Sequence, residues 1–310
     1  MTQTANILVV GSLNMDLVVQ VAHLPAPGET ILGRDFHTIP GGKGANQAVA
    51  AARLGAQVAI VGRVGQDAFG KQLMENLRQE GVETTFVSVD ESAPSGIATI
   101  TLDEQGQNSI VVASGANLHL SAEEVRRAGQ NLTDCRVMVS QLEIPLECVI
   151  EAAKQAKLRK VPFILNPAPA QVLPAELLAM VDILVPNESE AALLTGLPVF
   201  SLKDAEAAGR TLHKLGASAV IITMGANGAL LSRAGWEALH LPAYQVNVVD
   251  TTAAGDAFVA GLAVGLVEGL PLEEAACWGN AAGAIAVTRL GAQPAMPTRE
   301  EIQALLGTPR

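Results

Sequence analysis

The sequence predicts a three-layer αβα fold with a central, mostly parallel sheet and a small β-sheet lid. Short apolar runs rich in β-branched residues alternate with helix-like segments, which is typical of a parallel sheet covered on both faces. Two segments, 17–42 and 95–117, instead contain extended runs, and neither segment contains a helix-like stretch. With 49% hydrophobic and 16% charged residues, the 310-residue chain suits a compact globular protein.

The strand and helix predictions follow from these runs in chain order. The predicted buried strands are 6–12, 57–65, 136–143, 161–167, 181–187 and 219–225. An Ala-rich helix is predicted over 45–55, and Ser121 with Glu124 fits the capping box of a second helix. The apolar run 257–267 predicts a further helix that follows the stretch DTTAAGDAF.

The two segments without a helix predict a lid. The run 17–42 has two extended parts around a Pro/Gly turn, and 95–117 predicts a hairpin whose turn is DEQGQN, residues 103–108. We therefore expect a small antiparallel flap, formed by about 13–42 and 95–115, inserted into a single domain that spans 1–310.

Charge and composition exclude several classes of protein. The net charge is −11 with no Lys/Arg block, so nucleic acid and anionic membrane surfaces are not expected partners. The longest apolar run is shorter than the ~20 residues of a membrane span, and the N-terminus lacks the basic region of a signal peptide. Cys135, Cys148 and Cys277 lie far apart and are predicted to be reduced and buried in a cytoplasmic protein. The five histidines show no metal-ligand spacing.

One glycine-rich loop, PGGKGANQ at 40–47, is a candidate ligand loop. It fits neither the Walker A pattern nor the dinucleotide fingerprint. Gly41 and Gly42 would let the backbone approach a ligand closely, and Lys43 and Asn46 offer polar contacts. The alternative is a tight turn at the start of a helix.

Polar residues follow several predicted strands, where ligands bind in open α/β sheets. Asn14 and Asp16, in GSLNMD, could hold vicinal hydroxyls or could be turn residues. Glu143 ends another strand. Asn187 and Glu190, in NESE, could bind Mg²⁺ through water or could cap a helix. The segment 223–231 could carry a nucleotide or be an ordinary turn.

The stretch DTTAAGDAF at 250–258 combines an anion site with a carboxylate. Free N–H groups of Ala253, Ala254 and Gly255 and the positive end of the following helix favour an anion. Asp256 lies at the same place, either as a helix cap or as a base that faces an attacking hydroxyl. The positive end of the helix favours its ionised form.

Two of these segments resemble the signatures of the ribokinase-like, or PfkB, carbohydrate kinase family. They are PGGKGANQAVAAARLGAQVAIVGRVGQDAFG (40–70) and DTTAAGDAFVAGL (250–262), and NESE resembles the N-x-x-E motif of that family. Order and spacing match from about residue 6 to the end of the chain. The resemblance implies a ribokinase-like fold and ATP-dependent phosphorylation of the 5-hydroxyl of D-ribose, with Mg²⁺ and activation by K⁺.

The resemblance also implies a role for each matching position. The sugar would be held by Asn14, Asp16, Gly41, Gly42, Lys43, Asn46 and Glu143. The nucleotide would face Asn187, Asn280 and the loop of Thr223, Met224, Gly225, Ala226, Asn227 and Gly228. Asp256 would be the base, with the amides of Ala253, Ala254 and Gly255 around the transferred phosphoryl group. A monovalent cation would lie among Asp250, Thr252, Ala286, Arg289, Gly291 and Ala295, and Glu190 would contact Mg²⁺ through water.

The chain departs from the family pattern at two of these positions. Asn280 stands where members of the family carry His, and Ala295 stands where a Ser is common. The resemblance further implies a homodimer formed through the lid.

Three alternatives remain at this stage. Related kinases act on deoxyribose, fructose, nucleosides or ketodeoxy sugars, and Asn14 favours a sugar with two adjacent hydroxyls because such a site penalises an analogue that lacks one. A sugar-binding regulator would have lost the catalytic groups, but Asp256, Gly255 and Gly42 are present. A NAD-dependent oxidoreductase would need a glycine fingerprint after the first strand, and none occurs there.

Overall fold

A computed structural model describes residues 3–105 and 107–307, and its strands form three sheets. In chain order, the strands are β1 (Gln3–Thr4), β2 (Ile7–Val10), β3 (Asn14–Gln20), β4 (Phe36–Gly41), β5 (Val58–Gly65), β6 (Val87–Asp90), β7 (Gly96–Leu102), β8 (Asn108–Ala113), β9 (Leu132–Thr133), β10 (Val137–Ser140), β11 (Phe163–Leu165), β12 (Ile183–Leu184), β13 (Ala219–Thr223), β14 (Ala229–Arg233) and β15 (Leu239–Leu241).

The α-helices lie between these strands and after the last of them. They are α1 (Lys43–Arg53), α2 (Ala68–Gln79), α3 (Ala122–Asn131), α4 (Leu146–Arg159), α5 (Ala175–Leu178), α6 (Glu188–Thr195), α7 (Leu202–Lys214), α8 (Ala254–Val267), α9 (Leu272–Ala286) and α10 (Arg299–Leu306). Short 3₁₀ turns occur at Gly115–His119, Gly225–Asn227 and Gln293–Ala295.

The main sheet is mostly parallel, as the sequence predicted. Its strand order is β15-β14-β13-β12-β11-β10-β2-β5-β6, and only the pairs β13–β14 and β14–β15 are antiparallel. The predicted strands 6–12, 57–65 and 219–225 correspond to β2, β5 and β13, with boundaries that differ by a few residues. Because the strands are parallel, their carboxyl ends meet at one edge of the sheet.

Both faces of this sheet are covered, which explains the continuous apolar runs. Ile7 and Val9 of β2 belong to a core shared with α1, α8 and α9, whereas Leu8 and Val10 belong to a second core shared with α3, α4 and α7. All four side chains are at most 1% exposed. The molecule is therefore built of three layers.

A second, smaller sheet has four strands in the order β4-β3-β7-β8, and these strands come from the segments predicted to form the lid. The two hairpins are antiparallel, but β3 and β7 pair in parallel along Asn14–Gln20, so the expectation of a purely antiparallel flap was wrong. The predicted turn 103–108 lies between β7 and β8, and its Gly106 falls outside the described residues.

Several local predictions are confirmed and one needs correction. Ser121 and Glu124 form the predicted capping box at the start of α3. Cys135 and Cys148 are buried, but Cys277 is partly exposed, because it lies on α9 at the margin of the core. Within residues 3–105 and 107–307, the structure contains no helix that is long and apolar enough to cross a lipid bilayer.

Candidate active site

The candidate site lies at the carboxyl ends of the parallel strands, where the starts of α1 and α8 also meet. A cavity of about 200 Å³ opens there. Its walls include Lys43, Asn166, Asn187, Thr223, Gly255 and Asp256. These residues come from five separate parts of the chain, so the fold brings predicted sugar, base and nucleotide residues into one place.

Two helix starts supply the central contact of the site. Lys43, Asn46 and Gln47 are three and four residues apart in the first turns of α1, so they share one face of that helix. The carboxylate of Asp256 on α8 accepts hydrogen bonds from Asn46 Nδ2 at 3.0 Å and Gln47 Nε2 at 2.9 Å. Asp256 is only 5% exposed. It is therefore fixed in a buried position, and the role of a simple helix cap does not describe it.

The start of α8 carries the predicted anion site, with one correction: the Ala254 amide is not free, because it donates to the Thr251 carbonyl at 3.3 Å. Ala253 adopts the left-handed conformation with φ 58°, and the helix begins at the next residue. Amides in a first helical turn have no carbonyl four residues earlier within the helix, so those of Gly255 and Asp256 point out of the helix end. Gly255 lines the cavity.

Asn14 and Asp16 are the first and third residues of β3, which makes them strand residues and not turn residues. Both are buried. Asn14 Oδ1 accepts a hydrogen bond of 2.8 Å from Asn117 Nδ2. Since its oxygen is engaged, Asn14 presents its amide NH₂ as the group for a ligand.

Glycines leave room for these two polar side chains. A Cβ atom on Gly41 would lie 2.3 Å from Asp16 Oδ2, and one on Gly96 would lie 2.2 Å from Asn14 Oδ1. Gly42 has φ 87°, and a Cβ atom added to it would lie 2.6 Å from the backbone nitrogen of Asn14. The double glycine thus serves both a helix start and a close approach of two backbones, so the two sequence interpretations are compatible.

Glu143 faces the same region from the end of β10. Its Oε2 accepts hydrogen bonds from Ser12 Oγ at 2.5 Å and from the Lys43 amide at 3.1 Å. The Gly44 amide donates to Ser12 Oγ at 3.3 Å. Glu143 therefore ties the first turn of α1 to the loop between β2 and β3.

The charges in the site perturb each other. Burial, and then the carboxylates of Glu143 and Asp256, raise the pKa of Asp16 to about 7, against a smaller opposing effect of Lys43. Burial disfavours the charged form of Lys43, but the surrounding carboxylates, led by Asp256, outweigh it and raise the pKa of its ammonium group. Burial also raises the pKa of Glu190.

A buried polar atom of Asn46, next to Asp256, lacks a partner among the described residues. Within the described part of the chain, Asn46 Oδ1 has no hydrogen-bond donor, although its Nδ2 donates to Asp256. A buried acceptor without a donor is unfavourable by about 1–3 kcal/mol, so such an atom is expected to accept from a ligand.

The predicted nucleotide residues lie at the ends of β12 and β13. Asn187 and Glu190 form a capping box for α6, which confirms the local interpretation of this pair, and both also line the cavity. The backbones of Asn187 and Thr223 pair as an isolated parallel β-bridge. The loop then turns through Gly225–Asn227, but the Met224 side chain is buried in the core and leaves only its backbone for the loop surface.

Asn280 and the predicted cation residues are held by backbone contacts. Asn280 Nδ2 donates to the Pro242 carbonyl at 2.7 Å. Asp250 accepts from the Thr252 amide at 2.9 Å and hydroxyl at 2.7 Å, and from the Gly291 amide at 2.8 Å. The carboxylate of Asp250 therefore joins the two loops that the family resemblance assigned to a cation.

The remaining predicted cation residues offer backbone groups. The side chain of Arg289 pairs with Glu301, while Ala286 and Ala295 are buried. The Asp250 carboxylate is the kind of oxygen ligand that hard cations prefer, so its chemistry fits such an ion.

Some polar residues of the site were missed from the sequence. They are Ser12, Gln47, Asn117, Gln141 and Asn166. The helical spacing of Lys43 and Gln47 was a usable signal, because residues four apart share a helix face. The others act through contacts such as Asn117 with Leu13, 104 residues apart, which no local pattern shows.

A larger open depression of about 840 Å³ lies at the opposite edge of the sheet, near Gln57, Arg78 and Glu83. Ligands of open α/β sheets bind at the carboxyl ends of the strands. The smaller cavity is therefore the candidate active site, because it lies at those ends and is lined by Asp256 and by Glu190, whose pKa is raised by burial.

Comparison with known proteins places the chain in a family. Residues 4–299 match the model of the pfkB family carbohydrate kinases, and the chain belongs to this family. It is 44% identical to the ribokinase of Haemophilus influenzae over 94% of this chain and 95% of that protein. It is 39% identical to the deoxyribokinase of Salmonella typhi, over 97% of this chain and 98% of that one.

A solved structure is similar over nearly the whole chain. The ribokinase of Arabidopsis thaliana, described as complexed with ribose and ATP, superimposes with a TM-score of 0.89 at 38% identity. The match covers 99% of this chain and 100% of that one. This agrees with the predicted ribokinase-like fold.

Proposed function

We propose that the protein transfers the γ-phosphoryl group of ATP to the 5-hydroxyl of D-ribose. The observation that carries the proposal is the contact of Asp256 with Asn46 and Gln47, which fixes a carboxylate at the helix start beside the buried pair Asn14 and Asp16. The similarity to kinases named for ribose, and to a structure described with ribose and ATP, supports the same substrates.

Asp256 acts as the base in this proposal. The 5-hydroxyl oxygen forms a bond to the γ-phosphorus while the bond to the β-phosphate oxygen breaks and ADP leaves. The hydroxyl proton passes to the Asp256 carboxylate. A weak base suffices because the proton is lost late in a loose transition state, and the amides around Gly255 at the start of α8 receive the phosphoryl oxygens.

The sugar is held by groups that lie on β3, α1 and the end of β10. Asn14 donates its NH₂ to one hydroxyl, Asp16 accepts from neighbouring hydroxyls, and Asn46 Oδ1 gains the donor that it lacks. Gly41 and Gly42 provide close backbone contact, and Lys43 and Glu143 complete the polar wall.

The nucleotide lies over the ends of β12 and β13, along Asn187, the 223–228 loop and Asn280. Four carboxylates surround Lys43, so a divalent cation bound with ATP would offset negative charge, with Glu190 contacting Mg²⁺ through water. A bound K⁺, held by Asp250, Thr252 and backbone oxygens near Ala286, Arg289, Gly291 and Ala295, would hold the loop that carries the anion site in place. The three unpaired cysteines support a cytoplasmic location.

The second candidate is phosphorylation of 2-deoxyribose, because a deoxyribokinase is among the similar proteins. The orientation of Asn14 favours ribose. Its oxygen is taken by Asn117, so its NH₂ would lose an acceptor if the sugar lacked a hydroxyl there. Sites built to bind a hydroxyl discriminate strongly against the analogue without it.

The test is turnover of ATP with D-ribose, 2-deoxyribose, fructose and adenosine, each in Na⁺ and in K⁺. We expect the highest kcat/KM with ribose and a higher rate in K⁺. Preference for 2-deoxyribose would reject the assignment of Asn14. Binding of ribose without turnover of any sugar would favour a non-catalytic sugar sensor.

The same assay tests the cation site through Asp250→Asn. This variant removes a charge but keeps an oxygen acceptor for the Thr252 or Gly291 contact. We expect nearly equal rates in Na⁺ and K⁺, with activity retained. Asp182→Asn is the matched control, because Asp182 also accepts from a backbone amide, that of Phe163 at 2.8 Å, and should keep full activation by K⁺. Activation that survives in Asp250→Asn would exclude the site.

We also propose a homodimer that forms through the lid. The lid strands expose Phe36, Ile110, Val111 and Val112, which are between 43% and 65% exposed. Exposed apolar side chains grouped in this way mark contact surfaces. Equilibrium sedimentation should give twice the chain mass for the wild type and the single chain mass for Val111→Lys. A monomeric wild type would contradict the proposal.

A further inference from the structure

A chain of buried amides lies behind the Asp256 carboxylate. Gln47 Nε2 donates to Asp256 Oδ1 at 2.9 Å and to Asn166 Oδ1 at 3.2 Å. Gln141 Nε2 donates to Gln47 Oε1 at 2.6 Å. Gln47 is 1% exposed and Gln141 0%, so neither amide can exchange these partners for water.

The contacts fix which end of the Gln47 amide faces the carboxylate. Asn166 Nδ2 donates to the Val185 carbonyl at 3.0 Å, which turns Asn166 Oδ1 toward Gln47. The amide oxygen of Asn166 and a carboxylate oxygen of Asp256 can only accept hydrogen bonds. The atom of Gln47 that faces both of them must therefore be its NH₂ nitrogen. Its own oxygen is then left for Gln141.

Among the described residues, the arrangement of these amides leaves one buried oxygen without a hydrogen bond, which a cluster with only a structural role would not require. Gln141 Oε1 is buried without a partner in the described part of the chain. A Cβ on Gly11 would lie 2.2 Å from that oxygen, so the β2 end leaves space for it. An unsatisfied buried acceptor costs about 1–3 kcal/mol, and here it accompanies an alignment in which Gln141 donates to Gln47 and Gln47 donates to the carboxylate.

We propose that Gln47 is a positioning residue, held by Gln141, that keeps the Asp256 carboxylate turned toward the attacking hydroxyl. The inference rests on the proposed role of Asp256 as the base. A hydrogen bond donated to a carboxylate stabilises its charged form. Because Gln47 occupies Oδ1 and Asn46 occupies Oδ2, the carboxylate cannot rotate about its Cβ–Cγ bond without losing both contacts.

The charged groups that face Asp256 come from three other elements. Lys43 on α1 stabilises the carboxylate, whereas Asp16 on β3 and Glu190 on α6 repel it. Glu143 faces Lys43 and Asp16 and acts on them. Gln47 is neutral, so its replacement by a neutral residue alters no formal charge in this set.

The test is the rate of phosphoryl transfer in single turnover, measured by rapid quench between about pH 5.5 and 9 for Gln47→Met. Methionine keeps the length of the side chain and removes the donor. We expect a rate lower by roughly 10–100-fold for Gln47→Met than for the wild type, with the larger loss at the acid end of this range. KM for ribose and ATP should stay within about threefold of the wild type.

Two further variants separate positioning from packing. Gln141→Met should give a smaller rate loss with the same dependence on pH, because Gln47 then lacks the donor that fixes its orientation. Gln155→Met is the matched control, since Gln155 is a buried glutamine on α4 that bonds Glu151 and should leave the profile unchanged. Thermal unfolding identifies any variant that does not fold.

The outcomes distinguish this inference from the proposed function. A rate loss for Gln47→Met that is the same at every pH, or no loss, would overturn the inference while an inactive Asp256→Asn would uphold the base. Wild-type activity in Asp256→Asn would overturn both.

Discussion

Replacement of Asp256 by asparagine is expected to slow phosphoryl transfer by roughly 10²–10⁴-fold, the range for loss of a general base. This corresponds to about 3–5 kcal/mol of lost transition-state stabilisation. The affinity for ATP should change little, because the cavity walls at Asn187 and Thr223 are not altered. Rapid-quench rates and ATP titration measure the two quantities separately.

The substitution also has a local structural effect that must be separated from the chemical one. Asn46 and Gln47 each donate to one oxygen of the carboxylate. Asp256→Asn replaces one of these oxygens by an NH₂ group, so two hydrogen-bond donors would then face each other. This mismatch costs about 1–3 kcal/mol and should lower Tm by several degrees. Asp256→Ala, which has no such mismatch, should be equally slow, because both variants lack the base.

Asp204→Asn is the matched control for this prediction. Asp204 is the third residue of α7, as Asp256 is of α8, and its carboxylate accepts from Ser201 Oγ. The part of the stability loss that comes from removing a charge at a helix start should therefore be similar in both variants, and Asp256→Asn adds the mismatch with Asn46 and Gln47 to it. Only Asp256→Asn should lose activity, and an Asp256 variant with nearly normal single-turnover rates would reject the base.

The main sheet could be predicted because its signals are local. Continuous runs such as ILVV in β2 reflect burial on both faces, and each run is read from its own residues. The parallel pairing of β3 with β7 could not be read in this way. Asn14 pairs with Gly96, a residue that is distant in sequence, whereas turn signals reveal only neighbouring antiparallel strands.

The same distinction holds within the site. Asp16 and Asp256 were predicted because each lies in a short recognisable segment. The roles of Gln47 and Gln141 depend on contacts across 209 and 94 residues, so they emerge only when α1, α8 and the end of β10 are assembled. The capping box of Asn187 and Glu190 shows the opposite case, in which a local interpretation was right and the residues still line the cavity.

Replacement of Asp16 by asparagine is expected to abolish efficient use of ribose and yet stabilise the free protein at alkaline pH. Burial and the nearby carboxylates of Glu143 and Asp256 raise the pKa of Asp16 from 3.8 to about 7. The unfolded chain therefore releases this proton near pH 3.8, and the folded chain keeps it until about pH 7. Between these values the unfolded state binds fewer protons, so the free energy of unfolding falls as pH rises.

The size of this effect follows from the two pKa values. A carboxyl group that titrates at about 7 and not at 3.8 lowers stability by roughly 4 kcal/mol once it is ionised in both states. Asparagine cannot ionise, so Asp16→Asn should raise Tm at about pH 8 by several degrees and give no gain at about pH 4. Asp35→Asn, at an exposed position before β4, should change Tm little at either pH.

The affinity of the wild type for ribose should change with pH in the opposite direction to its stability. Ionised Asp16 can accept from two hydroxyls, whereas the protonated group must use one oxygen as a donor. The Kd for ribose should therefore fall as pH rises through about 7, and Asp16→Asn should bind weakly at every pH. Asp16 would then have opposite effects on stability and on sugar binding. Its buried charge destabilises the protein when the site is empty, and the same charge accepts hydrogen bonds from the sugar hydroxyls when ribose is bound. A Tm gain at about pH 8 without loss of ribose affinity would contradict this account.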